Sequence, residues 1–136
     1  DLGGALELLR LRGLSIAAKK SERETKEGIV EAYIHAGGRV GVIVELNCET
    51  DFVARTPEFR DLAHDVAMQV AAMRPTYVSS EDMPEEDKTS PAEICLLAQP
   101  FIKDSTKTIQ DLVNDIVAKV GENIRVRRFS CFSLGE

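Results

Sequence analysis

The sequence predicts an α+β fold: a small three-stranded antiparallel sheet with helices packed on one face, preceded by a short helical N-terminal segment. Three observations carry that reading. Apolar residues recur at every second position over 29–48, with two glycines between the halves, whereas 57–73 and 108–120 repeat at helical spacing. Strands and helices are grouped and do not alternate regularly, which argues against a parallel βαβ sheet. The 136 residues suffice for one hydrophobic core and leave no room for a second large domain.

At the start, Leu2, Ala5, Leu6 and Leu9 fall at helical spacing, and Gly13 is the small residue common just past a helix end, so a helix over 2–12 is expected to stop there. A further turn or two is expected up to Lys20. Ser21 with Glu24 then has the Ser-x-x-Glu form of a capping box. Over 29–48, Val30, Ala32 and Ile34 share one face of a first strand, and Val40, Val42, Val44, Leu46 and Cys48 share one face of a second. Gly37 and Gly38 are expected at both central positions of a tight primed turn, where positive φ is required.

Thr56 followed by Pro57 reads as an N-cap with proline at the first helical position. In the helix that follows, Phe59, Leu62, Ala63, Val66, Val70 and Met73 face one way and Asp61, His64 and Met68 the other, until Pro75 stops it. Residues 79–91 are polar and acidic and are expected to form a solvated, mobile connection. Thr108 opens a second helix with the stripe Ile109, Leu112, Val113, Ile116, Val117 and Val120, and Gly121 ends it. Ile124 and Val126 then alternate until Arg127 and Arg128 interrupt, which predicts a third strand bulged at the arginines.

Composition narrows the function. A net charge of −6 opposes binding to a phosphate backbone, so a protein partner is expected and direct nucleic-acid binding is not. No apolar run approaches the roughly 20 residues that span a bilayer, so no membrane role is expected. Cys48, Cys95 and Cys131 are widely spaced and only His35 and His64 could assist them, so neither a metal site nor a cofactor is expected. Glu49 and Asp51 resemble a carboxylate pair, but no nucleophile, histidine or oxyanion motif accompanies them, and no catalytic residue is assigned.

The most specific feature is the run at 47–55, Asn-Cys-Glu-Thr-Asp-Phe-Val-Ala-Arg. Its Thr-Asp-Phe-Val centre resembles the signature of the elongation factor Ts family. Ala17-Ala18-Lys19-Lys20 after a leucine-rich helix, Gly-Gly-Arg-Val-Gly-Val at 37–42, and Val-Gly-Glu-Asn-Ile at 120–124 with Arg127-Arg128 resemble the same family in the same order. The resemblance implies a core, dimerisation-type unit over 27–136, with 1–26 the remnant of a helical N-terminal module and its linker. It also implies a connection between the acidic stretch and Gln99-Pro100-Phe101 that is shorter, near 88–95, than in most members.

For function, the resemblance implies a guanine-nucleotide exchange factor for elongation factor Tu in its GDP-bound or nucleotide-free form, and not an enzyme. Thr50, Asp51, Phe52 and Val53 would form the loop that dislocates Mg²⁺. Phe52 would enter a cleft between helices of the GTPase, and Asp51 would meet polar groups there. A loop phenylalanine more often folds back over its own core; the resemblance reverses that expectation for Phe52. His35, Lys19 and Lys20 would be secondary contacts, and His64 a surface residue. Short family members pair two chains, so a homodimer is expected, with Ile29, Tyr33, Ile43 and Phe129 on the sheet face away from the helices and Arg125 and Glu45 at its rim or paired. The setting implied is the bacterial cytoplasm, or an organelle matrix or stroma. The alternative is a module of a larger assembly that kept this core without exchange activity.

Overall fold

A computed structural model describes residues 2–136, with side chains from residue 3 onward. Asp1 and the side chain of Leu2, both part of the expected N-terminal unit, lie outside the described residues. The sheet has the order β1-β2-β5, with β1 (Glu27–Ile34), β2 (Val40–Cys48) and β5 (Ile124–Ser133) all antiparallel neighbours. Two helices, α3 (Pro57–Met73) and α5 (Ile109–Val120), pack against one face of it. Val42, Val44, Leu46 and Cys48 on β2 close the core with Phe59, Leu62, Val66 and Val70 of α3 and Ile109, Val113 and Val117 of α5. The α+β class is as expected, with one core and the helices on one side.

Local signals account for most element ends. Thr56 Oγ1 accepts from the Phe59 amide at 3.3 Å with Pro57 at the first helical position. Thr108 and Asp111 form a capping box on α5, and Gly121 closes that helix at φ 77°. The bulge in β5 lies where Glu45 pairs Arg128 and Leu46 pairs Val126, which leaves Arg127 unpaired at the arginines, as expected.

Several expectations are corrected. Gly13 does not end the first helix; α1 (Leu2–Lys20) runs straight through it. The glycine is buried, and a Cβ there would lie 3.5 Å from Asp115 Oδ1 and 3.7 Å from the Asn114 carbonyl, so it is the point of close approach of α1 to α5. Ser21 caps nothing downstream; its hydroxyl donates back to the Ala18 carbonyl at 2.9 Å and finishes α1. The hairpin turn is longer than two residues. The His35 amide donates to the Val40 carbonyl at 2.9 Å and the Gly38 amide to the His35 carbonyl at 2.9 Å, so Gly37 and Gly38, both at positive φ, sit in a four-residue loop.

The acidic stretch is folded. A 3₁₀ turn at Ser80–Asp82 carries a Ser79/Asp82 capping box, and Tyr77 forms a parallel bridge to Cys95. A short helix, α4 (Pro91–Ile94), leads into a ribbon of β3 (Pro100–Phe101) and β4 (Asp104–Thr108) that the alternation had not signalled. Gln69 and Gln99 hold this ribbon to α3 from inside the core: the Gln69 amide donates to Gln99 at 3.2 Å and to the Pro100 carbonyl at 3.0 Å, and its oxygen accepts from the Ile102 amide at 2.9 Å. Two buried amides thus satisfy each other and the strand, as burial of polar groups demands.

The two faces of β1 are the reverse of the expected assignment. Ile29 lies opposite Leu46, Tyr33 opposite Val42 and Phe129 opposite Val44, so all three pack on the core. The outer face instead shows Val30, Ala32 and Ile34 beside Ile43 and Phe132. On that face Glu45 pairs with Arg128 at 2.7 Å and Arg127 at 3.4 Å, and not with Arg125.

Candidate functional site

Cys48 ends β2 and Pro57 begins α3, so the chain between them has eight residues in which to reverse direction. It does so through a single helical turn, α2 (Asp51–Ala54), where the sequence shows only a loop. Thr50 is the N-cap, and its hydroxyl accepts from the Val53 amide at 3.3 Å. Thr56 closes the other end, its amide and its hydroxyl both donating to the Val53 carbonyl, at 3.0 and 2.7 Å. The four signature residues therefore divide by direction. Val53 is 4% exposed and joins the core, while Phe52 is 81% exposed with its ring in solvent. Asp51 pairs with Arg55 one turn on, at 2.7 Å, on the surface.

The turn is fixed from outside by residues that sequence reasoning did not select as functional. β2 and β5 end side by side, Cys48 against Ile124, and the same register carried outward sets Glu49 against Asn123 and Thr50 against Glu122. Side chains continue the ladder there. Glu122 Oε1 accepts from the Glu49 and Thr50 amides at 3.1 and 3.0 Å, and Oε2 from the Thr50 hydroxyl at 2.7 Å. In return the Asn123 amide donates to Glu49 at 2.6 Å. Asn123 also donates to the Arg23 carbonyl at 2.8 Å, and Arg23 reaches Glu49 at 3.6 Å, so the linker after α1 joins the cluster. Beneath it the Cys48 thiol donates to the Thr50 carbonyl at 3.2 Å. Burial pushes that thiol up to about 11, with the negative charge of Glu122 adding to it, so it stays protonated as a donor.

The remaining candidates separate by end of the sheet. Lys19 and Lys20 close α1 just before the linker that Asn123 holds, at the end that bears Phe52. His35 lies at the other end, beyond the nine residues of β2, roughly 30 Å of extended chain away. It accepts or donates at Nδ1 to the Tyr33 hydroxyl at 3.2 Å, and His64, exposed as expected, meets the same Tyr33 ring edge-on. Among the described residues no cluster of three or more His, Cys, Asp or Glu side chains is placed to hold a metal, and no helix is long and apolar enough to cross a membrane.

A family model described as "Elongation factor TS" matches residues 14–93, which include the hairpin, the Phe52 turn and α3. The elongation factor Ts of Moorella thermoacetica is 48% identical over 166 aligned positions covering all of this chain and 82% of the relative. That of Carboxydothermus hydrogenoformans is 48% identical over 166 positions, covering 76% of its length, and that of Thermotoga neapolitana 45% over 164, covering 83%. Those 166 positions exceed the 136 residues of this chain, so the relatives carry residues within the matched region that it lacks. With a family model matched over 14–93 and 48% identity across its whole length, this chain belongs to the elongation factor Ts family of translation elongation factors.

Proposed function

We propose that this chain promotes release of GDP from elongation factor Tu by presenting Phe52 as a wedge on a pinned helical turn. The observation that carries the reading is the pairing of opposites within four residues: a ring 81% exposed beside a valine 4% exposed. An aromatic side chain held in solvent gains nothing for its own fold and is available to fill a partner's cleft. Moving the elements that hold Mg²⁺ removes a large local positive charge from the nucleotide phosphates, and the diphosphate leaves faster. Coupling is reciprocal, so GDP weakens the complex by the factor by which the complex weakens GDP, and incoming GTP reverses the cycle.

Within this reading, Thr50 and Val53 hold the turn, Asp51 offers a carboxylate beside the ring, and Lys19 and Lys20 lie at the same end to meet an acidic surface. His35 at the far end serves only if the partner extends along the hairpin. Residues 27–136 act as the core unit, with 1–26 as helix and linker. The outer sheet face, apolar at Val30, Ala32, Ile34, Ile43 and Phe132, supports pairing of two chains into a homodimer. That same face supports the second reading, a module seated in a larger assembly without exchange activity.

Stopped-flow release of labelled GDP from elongation factor Tu separates the two. The parent chain accelerates release, and Phe52→Ala retains its circular dichroism spectrum while losing about 30-fold or more in exchange efficiency, as for a central interface aromatic. A parent chain that leaves GDP release unchanged, or a Phe52→Ala variant that exchanges at the parent rate, rejects the wedge.

A further inference from the structure

We infer that Glu122 is a positioning residue for the Phe52 turn, acting through the backbone of Glu49 and Thr50; this rests on the exchange reading above. The amide of an N-cap residue and that of the residue before it find no acceptor in the turn that follows, and Thr50 and Glu49 hold those two positions ahead of α2. Glu122 supplies that acceptor from another part of the chain, 72 residues from Thr50. One of its oxygens takes two consecutive amides and the other orients the Thr50 hydroxyl, which leaves the hydroxyl's lone pair toward the Val53 amide. The carboxylate therefore sets the N-cap that starts the turn. Val53 then locks into the core on one side of that turn and Phe52 is projected on the other.

The placement of Glu122 is itself determined by backbone. Gly121 takes φ 77° at the end of α5 and turns the chain so that β5 starts at Ile124 beside Cys48. Glu49 reciprocates by accepting from the Asn123 amide at 2.6 Å, so the two crossing segments hold each other. The double clasp satisfies amides at the junction of β2 and α2 and so stabilises it. For a wedge that must enter a cleft the same clasp has a second effect, because ordering the turn beforehand lowers the cost of binding.

The test uses the intact chain with Glu122→Ala and Glu122→Gln, each alone and combined with Phe52→Ala. Hydrogen exchange at the Thr50 amide in the free chain is expected to quicken about tenfold in Glu122→Ala, the loss of a charged acceptor, and less in Glu122→Gln, which keeps one acceptor oxygen. Exchange efficiency toward elongation factor Tu is expected to fall about tenfold in Glu122→Ala and to be largely restored in Glu122→Gln. In the Phe52→Ala background the same change is expected to cost nothing further, because the residue it positions is gone. An equal loss in both backgrounds, or an unchanged Thr50 amide, overturns the inference. Should Glu122→Ala fail to fold, Glu122→Gln carries the test through the Thr50 amide, which is then expected to exchange faster than in the parent, and an unchanged amide overturns the inference. If the parent chain itself does not release GDP, the exchange reading fails, and the Thr50 amide in the free chain still decides whether Glu122 holds the turn.

Discussion

Phe52 and Phe132 are the two most exposed phenylalanines, at 81% and 74%, and they are exposed in different ways. Phe52 stands alone on a four-residue helical turn whose N-cap Thr50, with Glu49 before it, donates its amide to Glu122, and Val53 after the ring is buried. Phe132 lies on a strand, level with Gly41 and Ile34 across the sheet, in a row of apolar neighbours on an open face. A single ring on a braced turn suits insertion into a cleft. A ring within a flat apolar row suits covering by another surface of the same kind, since a wide patch is costly to leave in water. Exposure alone does not distinguish a wedge from an interface; the backbone beneath it does.

The harshest way to break the contrast is to disturb the frame that both rings share. Gly28 on β1 sits at φ 150°, and a Cβ there would fall 2.2 Å from the Leu46 carbonyl oxygen and 2.8 Å from the Asn47 Cα. Both obstacles are backbone of β2 and cannot swing aside. Gly28→Ala is expected to destabilise the chain by about 2 kcal/mol or more, read as a lowered urea midpoint, and to harm every activity together. A midpoint within error of the parent would mean that β1 and β2 part at this end without cost.

Next in size is the separation of the two rings by assembly. Phe132→Asp places a charge in the apolar row and is expected to bring the mass by light scattering down to the 15.0 kDa of a single chain at high micromolar concentration. Phe52→Ala is expected to leave the assembled mass unaltered. A parent chain already at 15.0 kDa under those conditions rejects the homodimer. Loss of assembly in Phe52→Ala would place both rings in one surface and remove the contrast.

A smaller effect sharpens the wedge end. Asp51 is tied to Arg55 on the surface, so its carboxylate is shared and partly hydrated before any partner arrives. Asp51→Ala is expected to cost about threefold to tenfold in exchange efficiency, less than Phe52→Ala, as for one polar contact. A greater loss than that of Phe52→Ala would make the carboxylate the principal contact.

What was legible in the sequence follows from how local each cause is. Thr56-Pro57, Thr108 and Gly121 act within one turn of chain, and each bounds its element where the residues indicate. Gly13 was misread because a glycine serves equally as a helix end or as a contact point between helices, and only the presence of α5 decides. The faces of β1 were misread because both are apolar, Ile29 and Tyr33 on one and Val30, Ala32 and Ile34 on the other, so alternation cannot say which is covered. The Thr-Asp-Phe-Val motif marks Phe52, but the role of Glu122 depends on the register of β5 on β2, which in turn depends on the bulge at Arg127. No pattern within 49–56 or 120–124 contains that information.

The mildest test concerns the charge set within the open face. Glu45 lies there between Val30 and Arg128, and its hydrogen bond from the Arg128 guanidinium holds its carboxyl below the usual value of 4.5, against the opposing effect of burial and with Asn47 and Arg127 assisting. A carboxyl lowered in the folded state stabilises that state above its unfolded pKa, and the contribution disappears as pH falls through the lowered value. The parent should therefore exceed Glu45→Gln in stability at pH 7 by about 0.2–1 kcal/mol, the range of ion pairs near solvent, and the gap should close on the acid side of 4.5. Urea midpoints of both chains across that range measure it. A gap that persists unchanged at the acid end would mean that Glu45 acts by shape on the bulged strand and not by charge. Nothing comparable is expected at the wedge end, where replacing Phe52 changes no titrating group, so Phe52→Ala should follow the parent's pH profile throughout.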